Sequence, residues 1–406
     1  MRKVLLLTQL FPPHNNAGAF RMGFFAKYLP QYGWTPIVVT TYSRDVMQDA
    51  SPSICLPPSV EVVRVHNVEQ ESGKSFVERA KRYSRLLSPE SSGLRRYRRQ
   101  MLQAVRKAIV LSQPAVAIST SGPELNHWIA AKACRESDTP WVADFRDIAE
   151  QWASSRPLSR IIWAIIKRRQ NAAVSNADAL VTVSGGLADT IERRSGRRPV
   201  VIPNGFDEDL MQERCSHFPS FTITFTGTVY DSAVQDGRVL FNALQQLFIT
   251  CPDSRQHVSV RFIGTEQAIV DSWIAATGFC GDVKCLARMQ HSEALKEQAR
   301  TCVLLHLAFP GKKGILTGKI FDYLGAGRPI LSIPADNDCV ESLLKETNAG
   351  VSCRNADETA AVLKAWYLGW RETGTVDYMG DQIKINKYTR REETRTLAEL
   401  LNTIAR

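Results

Sequence analysis

The fold can be argued from residues 2–42, which read RKVLLLTQLFPPHNNAGAFRMGFFAKYLPQYGWTPIVVTTY. The apolar run over 2–9 is typical of a buried strand, and 35–42 repeats that pattern. Between them, a loop over 12–18 leads into 19–33, where apolar residues recur at helical spacing. A strand, a helix and a second strand in this order form a βαβ unit, which predicts parallel pairing of the two strands.

The same alternation continues along the chain in two sets. Further strand-like runs of the first set cover 115–122, 140–147, 179–186 and 199–207. Those of the second set cover 221–230, 258–266, 281–289, 302–309 and 328–334. Because helix-sized intervals separate the runs, each set predicts an open, doubly wound sheet with ligand sites at the carboxyl ends of its strands. We therefore expect an α/β protein of two Rossmann-like domains that face each other across a cleft, with a boundary between Asn204 and Ser220.

The composition is that of an ordinary globular chain, with 406 residues of which 44% are hydrophobic and 23% charged. The sequence has no run of about 18 apolar residues, so we expect no membrane-spanning helix. Pro12 and Pro13 interrupt the apolar opening too early for a secretion signal, and a first strand explains that opening better. The nine cysteines show no CxxC pair and no zinc-ligand spacing, which predicts reduced packing residues in a cytoplasmic protein.

The net charge of +10 indicates an anionic partner, and the segments 79–100 and 155–170 hold much of it. The second segment mixes Trp163 and several isoleucines with basic residues, which is typical of a helix at an anionic membrane surface. A domain helix that packs its apolar face inward fits the pattern equally well, and both alternatives stay open. Neither segment carries aromatic stacking platforms interleaved on a predicted sheet face, so we expect no nucleic-acid partner.

A second informative stretch, residues 311–334, reads GKKGILTGKIFDYLGAGRPILSIP. It places Lys312, Lys313 and Lys319 among glycines, directly before an apolar run that predicts a helix. A helix start offers unpaired N–H groups and the positive end of the macrodipole, so the pattern favours a site for an anion, in particular a phosphate. A solvated loop with chance lysines is the alternative. The spacing fits neither a P-loop nor a dinucleotide-binding fingerprint, so another architecture must hold the phosphate.

Several segments spread over nearly the whole chain resemble the GT-B glycosyltransferases of family 4, the bacterial group 1 glycosyltransferases. They are LLLTQLFPPHNNAGAFRMGFFAKYLPQYGWTPIVVTT (5–41), STSGPELNHWIAAKA (119–133), WVADFRD (141–147), NADALVTVSGGLADTI (176–191), VVIPNGFD (200–207), FTGTVYD (225–231), RMQHSEALKEQARTC (288–302) and TGKIFDYLGAGRPIL (317–331). The last is the most specific, and the order and spacing of all of them carry the resemblance. It implies a retaining transfer of a sugar from a nucleotide donor.

The resemblance also implies a division of the chain. Residues 1–203 would form an N-terminal, acceptor-side Rossmann-like domain, and 204–385 a C-terminal Rossmann-like domain that binds the nucleotide sugar. The segment 386–406 would be a terminal helix that crosses back onto the N-terminal domain. No cofactor and no metal are implied, and the base of the nucleotide-sugar co-substrate stays unknown.

The expected donor site follows from the charge that develops during transfer. Cleavage of the sugar–phosphate bond builds negative charge on the diphosphate, which fixed dipoles and cations stabilise. The resemblance assigns this task to Thr317, Gly318 and Lys319, and it counts Lys319 as catalytic. Asp322 stands where the family has a glutamate that contacts the ribose, and His291 is expected to cap the helix that follows it. The other expected donor contacts are Thr228, Arg238, Arg288 and Met289, the last two flanking the base.

Two departures from the family pattern concern this donor site. Gly314 stands where many relatives have an acid that contacts the transferred sugar, so the sugar cannot be inferred. The loop 231–241 keeps one cation, Arg238, where relatives grip the diphosphate with an arginine and a lysine. Three alternatives follow: Arg238 serves, Lys312 and Lys313 substitute for the missing pair, or the activity is altered.

In the N-terminal half the resemblance points to a reacting-sugar and acceptor site. His127 matches a catalytic histidine expected to orient a sugar hydroxyl or to stabilise charge, and a histidine merely satisfied within a helix is the alternative. Asp147, at a strand end, is expected to bind acceptor or sugar hydroxyls, with Arg146 as a structural partner. Gly18 and Arg21 complete the expected acceptor contacts.

The sequence therefore predicts a hexosyltransferase that moves a sugar from a nucleotide-diphosphate sugar to a hydroxyl of a polysaccharide or lipid-linked acceptor in cell-surface glycan synthesis. A sugar-nucleotide epimerase on the same scaffold and a catalytically weak nucleotide-sugar-binding scaffold protein are the alternatives. We expect a cytoplasmic protein whose basic segments allow a peripheral position at the inner face of the plasma membrane.

Overall fold

The computed structural model describes residues 1–14, 17–42, 54–66, 92–122, 125–148, 157–211, 217–229 and 234–405. The chain divides into two compact units, unit 1 with Met1–Pro203 and Arg390–Arg406, and unit 2 with Asn204–Thr389. Parts of three segments named above, 79–91, 155–156 and 231–233, lie outside the described residues. Within the described ranges, no helix is both long enough and apolar enough to cross a lipid bilayer.

Unit 1 is built on one parallel sheet. Its strands are β1 (Arg2–Leu7), β2 (Trp34–Tyr42), β3 (Glu61–His66), β4 (Val116–Thr120), β5 (Trp141–Phe145), β6 (Ala179–Thr182) and β7 (Val200–Val201). They lie in the order β3-β2-β1-β4-β5-β6-β7, the arrangement of a doubly wound nucleotide-binding fold. The helices that accompany them are α1 (Ala17–Tyr28), α2 (Ser92–Ser112), α3 (Leu125–Ser137), α4 (Pro157–Asn176) and α5 (Gly185–Ser195).

Both faces of this sheet are buried, as a parallel sheet with helices on both sides requires. Successive side chains of a strand point to opposite faces, and β1 shows the consequence. Leu5 and Leu7 belong to one hydrophobic cluster, while Val4 and Leu6 belong to another. The continuous apolar run at the start of the chain is therefore explained by burial on two sides rather than one.

Unit 2 repeats the same plan. Its strands are β8 (Phe221–Thr226), β9 (Val258–Ile263), β10 (Asp282–Leu286), β11 (Val303–Leu307), β12 (Ile330–Ile333) and β13 (Gly350–Ser352). They pair in parallel in the order β10-β9-β8-β11-β12-β13. Its helices are α6 (Arg238–Thr250), α7 (Ser254–His257), α8 (Gln267–Thr277), α9 (His291–Arg300), α10 (Gly318–Ala326), α11 (Cys339–Thr347), α12 (Ala356–Thr373) and α13 (Gln382–Ile385). The predicted α/β class with two Rossmann-like sheets is thus confirmed.

The last helix of the chain, α14 (Arg390–Ile404), packs within unit 1. Leu397 and Leu401 are buried in the cluster that also contains Val4 and Leu6 of β1. The segment Asn386–Tyr388, in contrast, forms a short 3-10 helix that belongs to unit 2.

Two strands were missed by the sequence analysis, β3 and β13, and both lie at an edge of their sheet. Edge strands bury less side-chain surface and carry more polar residues, so their apolar pattern is weaker. Glu61 and Arg64 interrupt β3, and β13 is only GVS. The other two edge strands, β7 and β10, do lie within predicted runs, so the apolar pattern failed at only one border of each sheet.

Candidate functional site

The carboxyl ends of β8 and β9 in unit 2 are closed by two glycines. Gly227 and Gly264 both have positive φ values, 103° and 81°, which favour glycine. The N–H of Gly227 donates to the carbonyl of Ile263 over 2.7 Å, and the hydroxyl of Thr265 donates to the carbonyl of Gly227 over 3.0 Å. The two turns are therefore fixed to each other. They lie beside the topological switch point between the adjacent strands β8 and β11, where the chain continues to β9 on one side and to β12 on the other. Ligands usually bind at this point in an open α/β sheet.

Helix α10 begins with Thr317 as its N-cap and Gly318 as its first residue. The hydroxyl oxygen of Thr317 is buried and has no hydrogen-bond partner among the described residues. A side chain at Gly318 would meet no atom within 4 Å, so there is open space beside this helix start. Unpaired N–H groups, an unsatisfied hydroxyl and free space are what an anion needs at a helix N-terminus.

Lys319 adds a cation to this helix start. Its Nζ lies 3.5 Å from the carbonyl oxygen of Thr228 and 4.1 Å from the ring centroid of Phe225, which is fully buried. Burial lowers the pKa of the Lys319 ammonium to about 7. A Cβ at position 227 would come within 3.2 Å of Nζ, so the glycine avoids a steric clash with the Lys319 side chain. An anion close to Nζ would restore the stabilisation that the ammonium loses by leaving water.

Two side chains that the sequence did not single out fix α10 and α9 against β8. The hydroxyl oxygen of Tyr323 accepts from the backbone N–H of Thr226 over 2.9 Å, and Gln298 of α9 donates to the hydroxyl of Thr226 over 2.9 Å. Tyr323, Gln298 and Thr226 are all buried. Since Thr226 directly precedes Gly227, these contacts hold both helices at the same strand end. A tyrosine in an apolar helix and a glutamine in a polar one gave no signal that could have identified them.

His306 of β11 lies in the core near Lys319 and adds no positive charge. Burial, together with the positive charge of Lys319, lowers its pKa to about 3, so the imidazole is neutral at pH 7. Its Nδ1 lies 3.0 Å from the hydroxyl oxygen of Ser332.

Asp322 of α10 pairs with His291 of α9. The distance from His291 Nε2 to Asp322 Oδ2 is 3.0 Å. The predicted capping role of His291 was wrong, because the N-cap of α9 is Gln290, whose N–H donates to the carboxylate of Glu293. The histidine side chain is instead directed to the donor-side carboxylate that the sequence had identified.

The remaining expected donor residues have different surroundings. Arg288 is exposed, and its Cα lies 3.7 Å from the position of a Cβ at Gly264, next to the glycine turns. Met289 is half-buried and Thr228 is exposed. Arg238, the first residue of α6, is held by Asp236, to which its Nη2 donates over 2.7 Å.

The loop before α10 is tied to another loop rather than left in solvent. Lys313 is exposed, and its Nζ donates to the carbonyl of Asn337 over 3.0 Å. The N–H of Gly314 donates to Asp338 over 2.5 Å. These contacts fix the backbone of 311–314, while the Lys313 ammonium reaches the loop containing Asn337.

In unit 1, His127 of α3 is buried against the ring of Phe145, with 4.7 Å between ring centroids. The hydroxyl oxygen of Ser119 accepts from Trp141 Nε1 and lies 2.8 Å from His127 Nδ1. Because the Ser119 hydrogen can then donate to Nδ1, the arrangement favours a hydrogen on Nε2. Burial lowers the pKa of His127 to about 4, so this ring is neutral at pH 7.

The Nε2 of His127 is buried and has no hydrogen-bond partner among the described residues. A buried polar atom without a partner costs free energy, and such atoms often mark a ligand position. His127 is therefore not merely satisfied within its helix. A neutral N–H donor suits a sugar hydroxyl or a developing negative charge, as the resemblance implies.

Arg21 of α1 does not fit its expected contact with an acceptor. Its side chain is fully buried, Nη2 lies 3.0 Å from Asp144, and Nη1 lies 2.6 Å from Glu393 of α14. Burial alone would lower the pKa of Arg21, but the carboxylates of Asp144 and Glu393 outweigh it and raise that pKa. The guanidinium is thus engaged in joining α1, β5 and α14.

The other unit 1 candidates lie around the ends of β4 and β5. Asp147 is exposed, so its carboxylate is open to a ligand. Arg146 does not turn to Asp147: its Nε donates to the hydroxyl of Thr120 over 3.0 Å, and its Nη2 donates to the carbonyl of Ser121. Gly18 is buried in the first turn of α1.

One protein-family model matches part of the chain. Residues 26–205 match the glycosyl transferase 4-like domain. No curated protein matches the chain in sequence. The match agrees with the glycosyltransferase resemblance predicted from the motifs.

Solved structures resemble the chain over its whole length at low sequence identity. Sucrose-phosphate synthase from Thermosynechococcus elongatus has a TM-score of 0.67 at 11% identity, with 99% of each chain covered. HepE of Anabaena, in complex with UDP and glucose, has a TM-score of 0.61 at 16% identity and covers 99% of this chain and 100% of its own. A putative UDP-N-acetylglucosamine 2-epimerase from Listeria monocytogenes has a TM-score of 0.56 at 11% identity, with 99% and 96% covered. These similarities confirm the predicted GT-B fold.

Proposed function

Since residues 26–205 match a glycosyl transferase 4-like domain and the chain has the GT-B fold, we propose that the protein is a retaining glycosyltransferase. It transfers a sugar from a nucleotide-diphosphate sugar to a hydroxyl of a polysaccharide or lipid-linked acceptor in cell-surface glycan synthesis. Unit 2 binds the donor, and unit 1 contributes His127 and Asp147.

The observation that carries the proposal is the position of Lys319. Lys319 belongs to the first turn of α10, its ammonium lies beside the turn after β8, and the N-cap of the same helix, Thr317, has an unsatisfied hydroxyl. Departure of the diphosphate leaves negative charge where the helix dipole and the lysine point, so both stabilise the transition state more than the ground state. Removal of one such donor typically slows an enzyme by about 10²–10³-fold.

The donor is proposed to be a UDP-sugar in the first instance. Structures of HepE from Anabaena contain UDP or UDP-glucose, and the trehalose-phosphate synthase from Burkholderia vietnamiensis, which resembles this chain, is named as UDP-forming. Titration calorimetry with UDP, GDP and ADP tests the base directly. We expect UDP to bind most tightly.

Retention of configuration and independence from metal ions are parts of the proposal that rest on the resemblance. The cation and helix dipole at α10 supply positive charge for the leaving group, which supports transfer without a metal. Proton NMR of the first product should show an anomeric configuration identical to that of the donor. The rate should be unchanged in excess EDTA, and inversion or EDTA inhibition would contradict these parts.

A peripheral position at an anionic membrane is supported by the surface of α2 and α3. Trp128 is exposed and lies between Arg98, at 4.8 Å from its ring centroid, and Lys132, at 5.6 Å. The outer face of α2 carries the further exposed cations Arg96, Arg99, Arg106 and Lys107. An aromatic side chain among cations suits an anionic lipid surface. Sedimentation with phosphatidylglycerol vesicles should show binding that weakens with salt, and equal binding to neutral vesicles would contradict the lipid proposal.

The central experiment is incubation with UDP-sugars, followed by phosphorus and proton NMR, with and without a panel of oligosaccharide and lipid-linked acceptors. A glycosyltransferase releases UDP and forms a new glycosidic bond to an acceptor. Absence of nucleotide binding together with absence of any product would contradict the proposal.

A sugar-nucleotide epimerase is the second candidate, favoured by the fold similarity to the putative 2-epimerase from Listeria monocytogenes. An isomerised UDP-sugar formed without acceptor and without UDP release would select it. A catalytically weak binding protein is the third candidate, since Gly314 lacks the acidic side chain of many relatives and Arg238 is engaged by Asp236. Tight nucleotide binding with no turnover would select that alternative.

A further inference from the structure

An arginine of β3, Arg64, reaches over the loop that follows β1 in unit 1. Its Nη2 donates to the carbonyl oxygen of Pro12 over 2.6 Å, and its Cζ lies 6.0 Å from the ring centroid of Phe11. The side chain is exposed and forms no ion pair with any residue that the structure describes. Its Nε and Nη1 are therefore available to a ligand.

The pKa of Arg64 shows what this environment does to its charge. Burial of the guanidinium against the loop lowers that pKa. Two other arginines of unit 1 behave oppositely, since hydrogen bonds to Glu136 and Glu192 raise the pKa of Arg106 and Arg198. A guanidinium that loses water and gains no carboxylate is stabilised by an incoming anion, and its planar fork can hold two oxygens of a phosphate or a carboxylate.

His14 lies near this arginine, at the end of the same loop. It is 7% exposed, and burial lowers its pKa, with a further contribution from the positive charge of Arg64. The imidazole is therefore neutral at pH 7 and adds a hydrogen-bond donor and an acceptor without adding charge. A neutral ring beside a guanidinium suits a charged group attached to a sugar, because such a ligand offers both charged and uncharged oxygens.

The loop that ends at His14 is held in place. The ring of Phe11 is fully buried, and the carbonyl of this residue accepts from the N–H of His14 over 3.2 Å. The hydroxyl of Thr41, on β2, donates to the carbonyl of Gln9 over 2.8 Å. Because the backbone is already fixed, little conformational entropy is lost when a ligand binds to it.

The topology places these groups at the ligand edge of the unit 1 sheet. The loop follows the carboxyl end of β1, beside the switch point between β1 and β4, from which the chain continues to β2 on one side and to β5 on the other. Arg64 and His66 lie on one face of β3, and Tyr42 of β2 is the register partner of His66. The exposed ring of Tyr42 lies 5.9 Å from that of His66, between centroids. An exposed aromatic ring on the same face as the cation suits the apolar side of a sugar.

We propose that Arg64 and His14 bind an oxyanion of the acceptor, a phosphate or a carboxylate, so that the protein selects charged over neutral acceptors. The inference rests on the proposed function, because it presupposes an acceptor in unit 1. It deepens that function by naming the chemical class of the acceptor and two residues that recognise it. The phosphate of a lipid carrier and the carboxylate of a uronic acid share this chemistry, and the experiment separates them.

The test compares the dissociation constants of three small sugars, measured by NMR titration with excess UDP present to occupy unit 2. Methyl glucoside is the neutral probe, methyl glucuronide carries a carboxylate, and glucose 1-phosphate carries a phosphate. Hydrogen bonds to a charged group should make at least one charged probe bind about tenfold more tightly than the neutral one. The charged probe that is preferred identifies the source of the oxyanion.

Substitutions of Arg64 and His14 assign this preference to the site. Arg64→Met keeps an apolar stem against Phe11 and removes the charge, so the preference should fall to about 1. Arg64→Lys should keep part of it, since an ammonium is charged but lacks the fork. His14→Ala removes an uncharged partner and should reduce the preference about threefold.

Arg2→Met is the matched control for Arg64→Met. Arg2 is also an exposed arginine over an aromatic ring, with its Cζ 5.9 Å from the ring centroid of Trp34. It is the first residue of β1 and so lies at the opposite edge of the same sheet. The preference for charged sugars should be unchanged in this variant, and circular dichroism melting confirms that each variant is folded.

The outcomes distinguish this inference from its premise. A wild type that binds UDP but prefers neither charged sugar, or a folded Arg64→Met variant that keeps the preference, overturns the inference and leaves the proposed function standing. A wild type that binds no UDP overturns the UDP-sugar function, and with it the assignment of the oxyanion to an acceptor.

Discussion

Units 1 and 2 share one strand order, and each has a basic side chain on a helix near its central strands. The groups that contact this side chain differ between the two units. In unit 1, Arg21 of α1 lies between the carboxylates of Asp144 and Glu393 and is fully buried. In unit 2, Lys319 of α10 is half-buried and lies against a carbonyl oxygen and an aromatic ring. The pKa of Arg21 is raised, since its carboxylates outweigh burial, and burial lowers that of Lys319 to about 7.

The difference teaches that the neighbours of a helical cation decide its use. A charge enclosed by carboxylates of its own chain is used in holding elements together, and breaking such a pair is costly. A charge that loses solvation against a carbonyl oxygen and an aromatic ring is stabilised by an incoming anion. On this account, unit 1 uses its cation for stability and unit 2 uses its cation for ligand binding.

The largest effect is expected from Glu393→Ala in unit 1. Removal of this carboxylate leaves part of the charge of Arg21 and Arg390 buried without its partner, which lowers the free energy of unfolding by about 3–5 kcal/mol. Urea-induced unfolding measures the loss. The affinity for UDP, which we assign to unit 2, should stay within about twofold in the folded variant.

The adjacent Glu392 is the matched control for Glu393. It pairs with Arg395 at the surface over 2.8 Å, where both side chains are well exposed. Glu392→Ala should change the free energy of unfolding by less than about 1 kcal/mol. Equal losses in the two variants would remove the distinction between a buried structural cluster and an ordinary surface pair.

The second effect is expected from Lys319→Ala in unit 2. If the proposed function holds, loss of the ammonium should slow sugar transfer by about 10²–10³-fold and weaken UDP binding, because the proposal has this cation stabilise the departing diphosphate. Lys313→Ala is the control, since this exposed lysine reaches the carbonyl of Asn337 instead, and should cost no more than about threefold. A stable, fully active Lys319→Ala variant would contradict the assignment of this lysine to ligand binding.

The third effect is a pH dependence of donor binding. With a pKa of about 7 in the unliganded protein, Lys319 is charged at lower pH and loses its proton as the pH rises through that value. A diphosphate favours the charged form, so UDP-glucose should bind about fivefold more weakly at pH 8 than at pH 7, and binding at pH 7 should take up about half a proton.

Calorimetry in buffers of different ionisation enthalpy measures this uptake. Lys319→Arg is the matched variant, because a guanidinium stays charged throughout this range and should show neither the uptake nor the pH dependence. No buffer dependence in the wild type would mean that Lys319 is not the group that meets the diphosphate.

The smallest effect is expected from Arg238→Ala. The carboxylate of Asp236 already accepts from Nε and Nη2 of this exposed arginine, so its contribution to donor binding should be no more than about threefold. Asp236→Ala should release the guanidinium and raise the affinity for UDP. A large loss in Arg238→Ala would instead identify this residue as the diphosphate contact that the family resemblance implies.

Much of the fold could be predicted because buried parallel strands leave continuous apolar runs. The central strands β1, β2, β8 and β11 fall within the segments read from the sequence. The start of α10 could be anticipated as well, since glycines and lysines before an apolar helix are local in sequence, and its use as an anion site stays a prediction. The edge strands β3 and β13 could not, as half-exposed strands leave no such run.

The contact partners of individual side chains could not be predicted from the sequence, for a different reason. Arg21 and Glu393 are 372 positions apart, and Arg21 and Asp144 are 123 apart. No local pattern records such pairing, so an arginine near a predicted ligand loop was assigned to an acceptor although the fold encloses it. The same holds for His291, which was expected at a helix cap and instead contacts Asp322 on the next helix.

The most direct test of the central claim is a crystal structure of the protein with UDP. The account predicts that a diphosphate oxygen lies about 3 Å from Lys319 Nζ and that another accepts from the backbone N–H groups at the start of α10. A diphosphate bound elsewhere, with residues 317–319 making no contact to it, would contradict the account.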